Sequence, residues 1–493
     1  FLAGRLPDEA TRDAMARDNF VVHGRLSGQR AAGAAQLRRL FGPGPRPGSL
    51  VSRLLWQVGK RLPPNTRRGR LARRLWHAVR GKPSAPAAAD AGAMSHPDLA
   101  PCDVMVQVGH FLAGGLENAV LDLNEAFLAA GLRVSLLVLG EQGAAFARAR
   151  AQGVPVCAGR YSDDAYRHWL RTAKPKLVMS HYSIDGAALC REAGIPLVQV
   201  IHNIYLWVRD AELEAMRASA EATTMFVACS RVAKEYSVSR LDVPADRCVV
   251  IPYGIDVRRF RELDGERQRL RRLHGIGDND FVFLNVGAIN HQKNLPSQLR
   301  AFRAIASRCP AARLVSIGPI YEQELLLECK RAVERDGLAY RVTFAGGVSD
   351  PHGYYAMADA LVHSAFFEGG PLALLEALAA NLPVVTVATG LAIHFTGKKG
   401  VFTVPPHFDV TAYEGEIGDM PSSPTTETAL AAAMERVYRE RVRPDLPADV
   451  VDGFDRRNAY RRYVELVLRL TSRNSDQPPA AVPTWAERLD ASD

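Results

Sequence analysis

The chain has 493 residues, 47% of them hydrophobic and 23% charged, which is enough for two domains with extra segments and for substantial buried cores. Its seven cysteines are dispersed without a Cys-x-x-Cys pair, which argues against a disulfide framework and for reduced thiols in a cytoplasmic setting. No apolar run is long enough to cross a bilayer. The net charge of +9 is uneven: residues 1–100 hold 18 Lys or Arg against 6 Asp or Glu, and the remainder holds 44 against 47.

Residues 1–82 read as a basic helical extension. Pro7, Asp8 and Glu9 suit a helix start, with Pro early and carboxylates in the first turn. Helical composition runs from there to about Arg39, and the stretch GPGPRPG at 42–48 breaks it. Residues 51–82 carry ten Lys or Arg and no acid, with apolar stripes at Leu54, Leu55, Val58, Leu62 and at Leu71, Leu75, Trp76, Val79. A basic amphipathic helix of this kind suits an anionic membrane surface, as a peripheral contact, and equally suits packing on the chain's own folded part. No nucleic-acid module accompanies the basic patch, so nucleic acid is not an expected partner. Residues 83–100 form a linker, Ala/Pro-rich at 83–94. The chain opens on Phe1 rather than Met, as expected of a piece of a longer polypeptide.

From Asp103 onward, short apolar runs alternate with helical periodicity. Val104–Val108 reads as a strand, residues 109–116 (GHFLAGGL) as a glycine-bearing loop, 117–130 as a helix and 133–139 as the second strand. The loop is not a dinucleotide GxGxxG, so an oxidoreductase is not indicated. Further short strands, 177–180 and Leu197–Ile201, end in His181 and His202, where open parallel sheets bind ligands. Strand 226–230 ends in Ser230, and 249–260 (VVIPYGIDVRRF) marks a domain boundary near residue 255. The alternation then repeats: strands at Phe281–Val286, 313–317 and 342–345, and helices at 297–308, 322–336 and 352–358. The expected architecture is α/β, two doubly wound Rossmann-like domains (101–255 and 256–452) facing a cleft. A terminal helix within 453–472 would cross back to the first domain, followed by a tail, 473–493.

The stretch 360–387 (ALVHSAFFEGGPLALLEALAANLPVVTV) carries the functional signal. It reads as strand, polar loop 363–370, helix from Pro371 as first residue, a stop at Asn381 and Pro383, and strand Val384–Val387. Glu368 lies before the helix and Glu376 five residues past Pro371, roughly 8 Å along the axis. Gly369 and Gly370 between them permit close approach of a ligand to backbone, and the helix start is an anion site. A sugar nucleotide, with a diphosphate between two hydroxylated rings, fits this layout.

The spacing Glu368-x7-Glu376, with Ala-Leu-Ala-Ala-Asn-Leu-Pro-Val-Val after it, resembles the donor motif of retaining GT-B glycosyltransferases, the group 1, family 4-like enzymes. The resemblance covers residues 103–472. It implies that Glu368 binds donor-sugar hydroxyls, that Gly369, Gly370 and Pro371 bind phosphate, and that Glu376 binds ribose. It implies further that Gly114 and Gly115 face the phosphates, that backbone at Gly346 and Val348 holds the base, and that His202 lies beside donor sugar and acceptor. Residues 285–294 (NVGAINHQKN) resemble the family's Gly-Arg-Leu-x-x-x-Lys segment, with Lys293 at the diphosphate-binding position. Ala288 stands where the family has Arg, and Tyr253 where it commonly has Asn. A charge-assisted phosphate contact is worth about 1.5–3 kcal/mol, so the missing Arg should weaken donor binding roughly ten- to a hundredfold unless Asn290, His291 or a residue of the first domain substitutes.

The implied reaction is retaining transfer of a hexosyl-type sugar from a nucleotide-sugar donor to a glycan or lipid-linked acceptor, in surface polysaccharide synthesis on the inner membrane face. No cofactor is required, and no metal is expected: the Asp-Asn-Asp at 278–280 precedes a strand in a surface turn, and Lys293 with the helix start can offset the leaving diphosphate. Two other readings share the fold. One is a GT-B epimerase or sugar-phosphate phosphorylase, although no pyridoxal lysine site is identifiable. The other is a weakly active module of a larger polysaccharide-synthesis protein, which the missing Arg favours. A glycosidase does not fit, because Glu368 and Glu376 lack the facing geometry that reaction needs.

Overall fold

In the computed structural model the described residues are 97–472, except 113, 262–264 and 349. The basic extension expected over 1–82, nearly all of the linker and the 473–493 tail lie outside them. Two parallel sheets form the frame. The first has strand order β3-β2-β1-β4-β5-β6-β7 and comprises β1 (Val104–Val108), β2 (Val134–Val138), β3 (Val156–Ala158), β4 (Leu177–His181), β5 (Leu197–Ile201), β6 (Met225–Ala228) and β7 (Cys248–Val250). The second has order β10-β9-β8-β11-β12-β13 and comprises β8 (Phe281–Val286), β9 (Ala312–Ile317), β10 (Val342–Gly346), β11 (Ala360–His363), β12 (Val384–Val387) and β13 (Val401–Val404).

Continuous apolar runs make these strands because helices cover both faces of each sheet, leaving no solvated side to alternate with. Valines 104, 106 and 108 and their sheet neighbours are fully buried. The helices that matter for the site are α1 (Gly115–Ala129), α2 (Leu295–Ile305), α3 (His352–Met357), α4 (Leu372–Ala379) and α5 (Arg456–Thr471). Helix α5 packs on α1, and its Tyr460, Tyr463, Leu466 and Val467 are part of the first domain's core. Arg456 at its start donates to Asp122 on α1 at 2.7 Å.

Two local readings change. Helix α4 starts at Leu372, and Pro371, expected as its first residue, stands just before it with extended backbone (ψ 106°) and no capping hydrogen bond. The segment 363–370, expected as a polar loop, is buried over most of its length. Phe366, Phe367 and Glu368 are buried, and both phenylalanines enter an apolar cluster shared with Ile201, Tyr205, Phe226 and Tyr253 of the first domain. The segment is a wedge between domains, which is why two adjacent aromatics are tolerated there. At its far end α4 closes in a Schellman turn: Asn381 takes φ 56°, its N–H donates to Leu378 O at 3.0 Å, and Leu382 N–H donates to Ala377 O at 2.8 Å.

Candidate active site

Sheet order brings the first pair together. β8 and β11 are hydrogen-bonded neighbours, so the loops leaving their carboxyl ends run side by side. Phe366 N–H donates to Gln292 O at 2.9 Å, Gln292 Nε2 to Phe367 O at 3.0 Å, and Ser364 Oγ to Asn294 O at 2.9 Å. Asn294 takes φ 50°, and its side chain caps α2 by accepting from Ser297 N–H. Asn290 Oδ1 accepts from Lys293 N–H at 3.0 Å. Held this way, Lys293 Nζ reaches Glu368 Oε1 and forms an ion pair with it.

Glu368 is 4% exposed. His363, the last residue of β11, places Nε2 3.1 Å from Oε1 of Glu368, and Thr389 Oγ1 accepts from the Glu368 N–H at 3.1 Å. Burial pushes the carboxyl pKa up, but the Lys293 charge and His363 outweigh it and bring it down to about 2. Glu368 is therefore a carboxylate at any physiological pH. Lys293 keeps a partly open side chain, so the pair is reachable from outside.

The interdomain seam passes immediately beside it. A Cβ on Gly369 would lie 2.2 Å from His202 O and 2.7 Å from Asn203 Cα, so only glycine permits this approach of the two domains. A Cβ on Gly370 would lie 3.2 Å from the Tyr253 ring. Tyr253, standing where Asn is usual, hydrogen-bonds His202 Nδ1 through its hydroxyl. His202 Nε2 is 2.8 Å from His181 Nδ1, so both ring nitrogens of His202 are engaged by protein. Burial pushes the His202 and His181 pKa values down, to about 3 for His181, so both rings are neutral.

Tyr182, just past β4, stacks on His202 with ring centroids 5.1 Å apart. It adopts φ 52° and stays 42% exposed, an outlying backbone for a bulky residue. Across the seam, a Cβ on Gly115 would lie 3.8 Å from Leu372 Cδ1, so the Gly114–Gly115 turn faces the start of α4. No side chain caps that start. Its open N–H groups and the dipole of α4 make an anion-binding end.

Gly346 closes β10 at φ 74°. Its carbonyl accepts from Gly318 N–H at 2.8 Å, and Gly287, alongside which the Lys293 stem runs, abuts Gly318. Val348 packs, half-buried, on the core that holds Leu374. Glu376 lies one turn below Leu372 on the same helix face and accepts a hydrogen bond from the Tyr355 hydroxyl. Glu376 is half-buried, and desolvation pushes its carboxyl pKa up to about 7, with Tyr355 opposing.

Lys293, Glu368, Gly369, Gly370 and Pro371 thus form one group with His202 and Gly115 at its border. Glu376 stands a turn away, and Gly346 and Val348 lie two strands over. The two side chains named as stand-ins for the missing Arg have other partners: Asn290 orients Lys293, and His291 pairs with Glu322, which raises its pKa. In the Asp-Asn-Asp turn, Asp280 Oδ2 accepts from Arg313 Nε at 3.0 Å and Gly277 N–H at 2.8 Å. His363, Thr389, Tyr182 and Tyr355 were not read from sequence. For His363 a signal existed, since it ends an apolar strand as His181 and His202 do.

Two family models match in succession. Residues 113–259 match Glycosyltransferase Family 4, and residues 266–436 match Glycosyl transferases group 1. An uncharacterized glycosyltransferase of Methanocaldococcus jannaschii is 20% identical over 268 residues, 48% of this chain and 65% of its own length. The UDP-Gal:α-D-GlcNAc-diphosphoundecaprenol α-1,3-galactosyltransferase of Escherichia coli is 28% identical over 236 residues, 44% of this chain and 58% of its own. The chain thus spans less than two thirds of the length of either relative. In three dimensions it resembles Anabaena HepE in complex with UDP, at TM-score 0.58 and 18% identity, over 74% of this chain and all of that one. With a matching model on each of its two Rossmann-like domains and the two-sheet architecture of its structural neighbours, the chain belongs to the group 1, family 4-like glycosyltransferases of the GT-B fold.

Proposed function

We propose that the protein is a retaining glycosyltransferase that moves a hexosyl unit from a nucleotide-sugar donor to a glycan or lipid-linked acceptor. One observation carries this reading: a buried carboxylate and an accessible ammonium are paired at the uncapped start of α4, beside the interdomain seam. Each partner balances the other's charge while no substrate is bound. Donor binding lets Lys293 turn to the diphosphate and Glu368 accept from sugar hydroxyls, so both exchange one partner for another. As the bond between sugar C1 and phosphate oxygen breaks, its electrons pass to the diphosphate. Lys293, the α4 N–H groups and the Gly114–Gly115 turn stabilise that charge. The acceptor hydroxyl attacks C1 from the same face, and its proton passes to a phosphate oxygen, giving retention.

Because those groups supply the offsetting positive charge, the reaction is read as needing no metal or other cofactor. His202, neutral and doubly bonded, serves as a wall between donor sugar and acceptor. Gly346 and Val348 hold the base by backbone, and Glu376 the ribose. Surface polysaccharide synthesis is supported by the E. coli relative's printed substrate, a sugar on diphosphoundecaprenol. A UDP donor is supported by that name and by HepE solved with UDP. Ala288 favours a second reading, a weakly active module of a larger polysaccharide-synthesis protein.

The test is to screen the purified chain against UDP-, GDP- and dTDP-sugars for binding and turnover, with product anomeric configuration read by NMR. Retained configuration is expected. Inverted product removes the mechanism, and epimerised donor without transfer or hydrolysis removes the glycosyltransferase reading.

A further inference from the structure

The functional reading leaves one buried polar contact unused. Tyr355 on α3 is 1% exposed, with its ring edge-on to Phe260 at 5.3 Å and 89°. Its hydroxyl donates to Glu376 Oε2. Among the described residues that is the hydrogen bond the Glu376 carboxylate makes, and it leaves Oε1 free. Glu376 lies one turn below Leu372, on the face of α4 that meets Gly115. A hydroxyl enclosed this way has one partner to give its hydrogen to. Its neighbour Tyr354 points elsewhere, to His274 at 3.1 Å.

We propose that Tyr355 is a positioning residue for nucleotide binding: it occupies Oε2 of Glu376 and so leaves Oε1 as the acceptor for the ribose hydroxyls of a nucleoside diphosphate. This rests on the sugar-nucleotide reading of the site. The carboxylate form can accept both ribose hydroxyls, and the acid form cannot. Burial pushes the Glu376 pKa up to about 7, and the Tyr355 hydrogen bond is the force that opposes it. Burial and the Glu376 charge push the Tyr355 pKa well up, so the phenol remains a donor.

Other charges around α4 are committed elsewhere. Glu368 is paired with Lys293 and held by His363 of β11. On the helix Val257–Arg261, Arg258 faces Asp455, Arg259 pairs with Asp350 at 3.7 Å, and Arg261 with Asp452 at 3.9 Å. On α3, His352 pairs with Asp350. From β12, Thr386 approaches His363.

The experiment is calorimetric titration of the whole chain with UDP, GDP and dTDP from pH 5.5 to 9, for wild type, Tyr355→Phe and Glu376→Gln. In wild type, affinity should rise with pH about a midpoint near 7, with release of about half a proton per nucleotide at pH 7, read from two buffers. Tyr355→Phe should move the midpoint up by about one unit. It should then bind about fivefold weaker at pH 7 and close to wild type at pH 9. Glu376→Gln should remove the part of the pH step and proton release that exceeds what the nucleotide's own terminal phosphate contributes. A Tyr355→Phe curve superimposed on wild type, or weakened equally at every pH, overturns the proposal. So does the absence of proton release in wild type, which needs no variant to fold. If wild type binds none of the three nucleotides, the sugar-nucleotide reading itself falls.

Discussion

The two sides of the interdomain seam are built from different materials. The second domain contributes charge: Lys293, Glu368, Glu376 and the uncapped end of α4. The first contributes neutral rings: His181 and His202 in mutual contact, flanked by Tyr182, with Tyr253 at the domain boundary. A charged half offers strong, directional contacts to anionic and hydroxylated groups. A half made of uncharged rings offers shape and apolar surface. The asymmetry therefore sets fixed charge on one side of the seam against uncharged ring surface on the other.

The sharpest way to break the comparison is through the ion pair. Lys293→Met should lower transfer by about 10²–10³-fold, the usual effect of losing one group that stabilises developing negative charge. It should also cost on the order of 3 kcal/mol of stability, because Glu368 is left buried without its cation. The double variant Lys293→Met with Glu368→Gln should recover most of that stability in urea unfolding and none of the activity. If the single variant is as stable as wild type, the pair does not hold this half together.

Acid separates the halves next. The Glu368 pKa is depressed from 4.5 to about 2, so its contribution is complete above pH 4.5 and lost as pH falls from there toward 2, roughly 3 kcal/mol in all. Unfolding followed from pH 5 to pH 2.5 should show this loss in wild type and not in Glu368→Gln. On the other side, His181 is depressed from 6.5 to about 3. The unfolded chain binds the extra proton, so this contribution is complete above pH 6.5 and falls below it, by about 2 kcal/mol at pH 5. His181→Gln should reduce the stability change between pH 7 and pH 5 and leave the share carried by His202, whose pKa burial also pushes down. The ring half thus weakens about two pH units before the charged half. Coincident transitions would contradict the assignment.

The smallest effect concerns backbone. Among the described residues, left-handed non-glycine positions fall on Lys174, Tyr182, Asp210 and Asp242 in the first domain and on Asn294, Asn381 and Arg441 in the second, so most but not all sit on Asn or Asp, which tolerate them. Lys174, exposed after the helix Asp163–Ala173, has φ 44°. Lys174→Gly should raise stability by about 1 kcal/mol, measured by thermal unfolding.

Much of the frame could be read from residue order, for a physical reason. Strands buried on both faces, such as Val104–Val108 and Val384–Val387, are plain apolar runs, and helix stops such as Asn381 with Pro383 are local chemistry. Lys293 and Glu368 were legible because each sits at a fixed offset from a strand end and a helix start. What escaped were contacts set by tertiary position alone. Tyr355 meets Glu376 only because α3 packs near α4, and His363 meets Glu368 only because the wedge folds back on its own strand. Phe366 and Phe367 read as part of a polar loop because nothing in the local pattern announces a second domain above them.

Helix α5 carries a consequence for the order of events at the ribosome. Tyr460, Tyr463, Leu466 and Val467 complete a hydrophobic layer whose other members lie between Val104 and Ile251. During synthesis that layer stays open until some two hundred further residues have emerged. The amino-terminal sheet must then wait, with apolar surface uncovered, for a helix made after the whole carboxyl-terminal sheet.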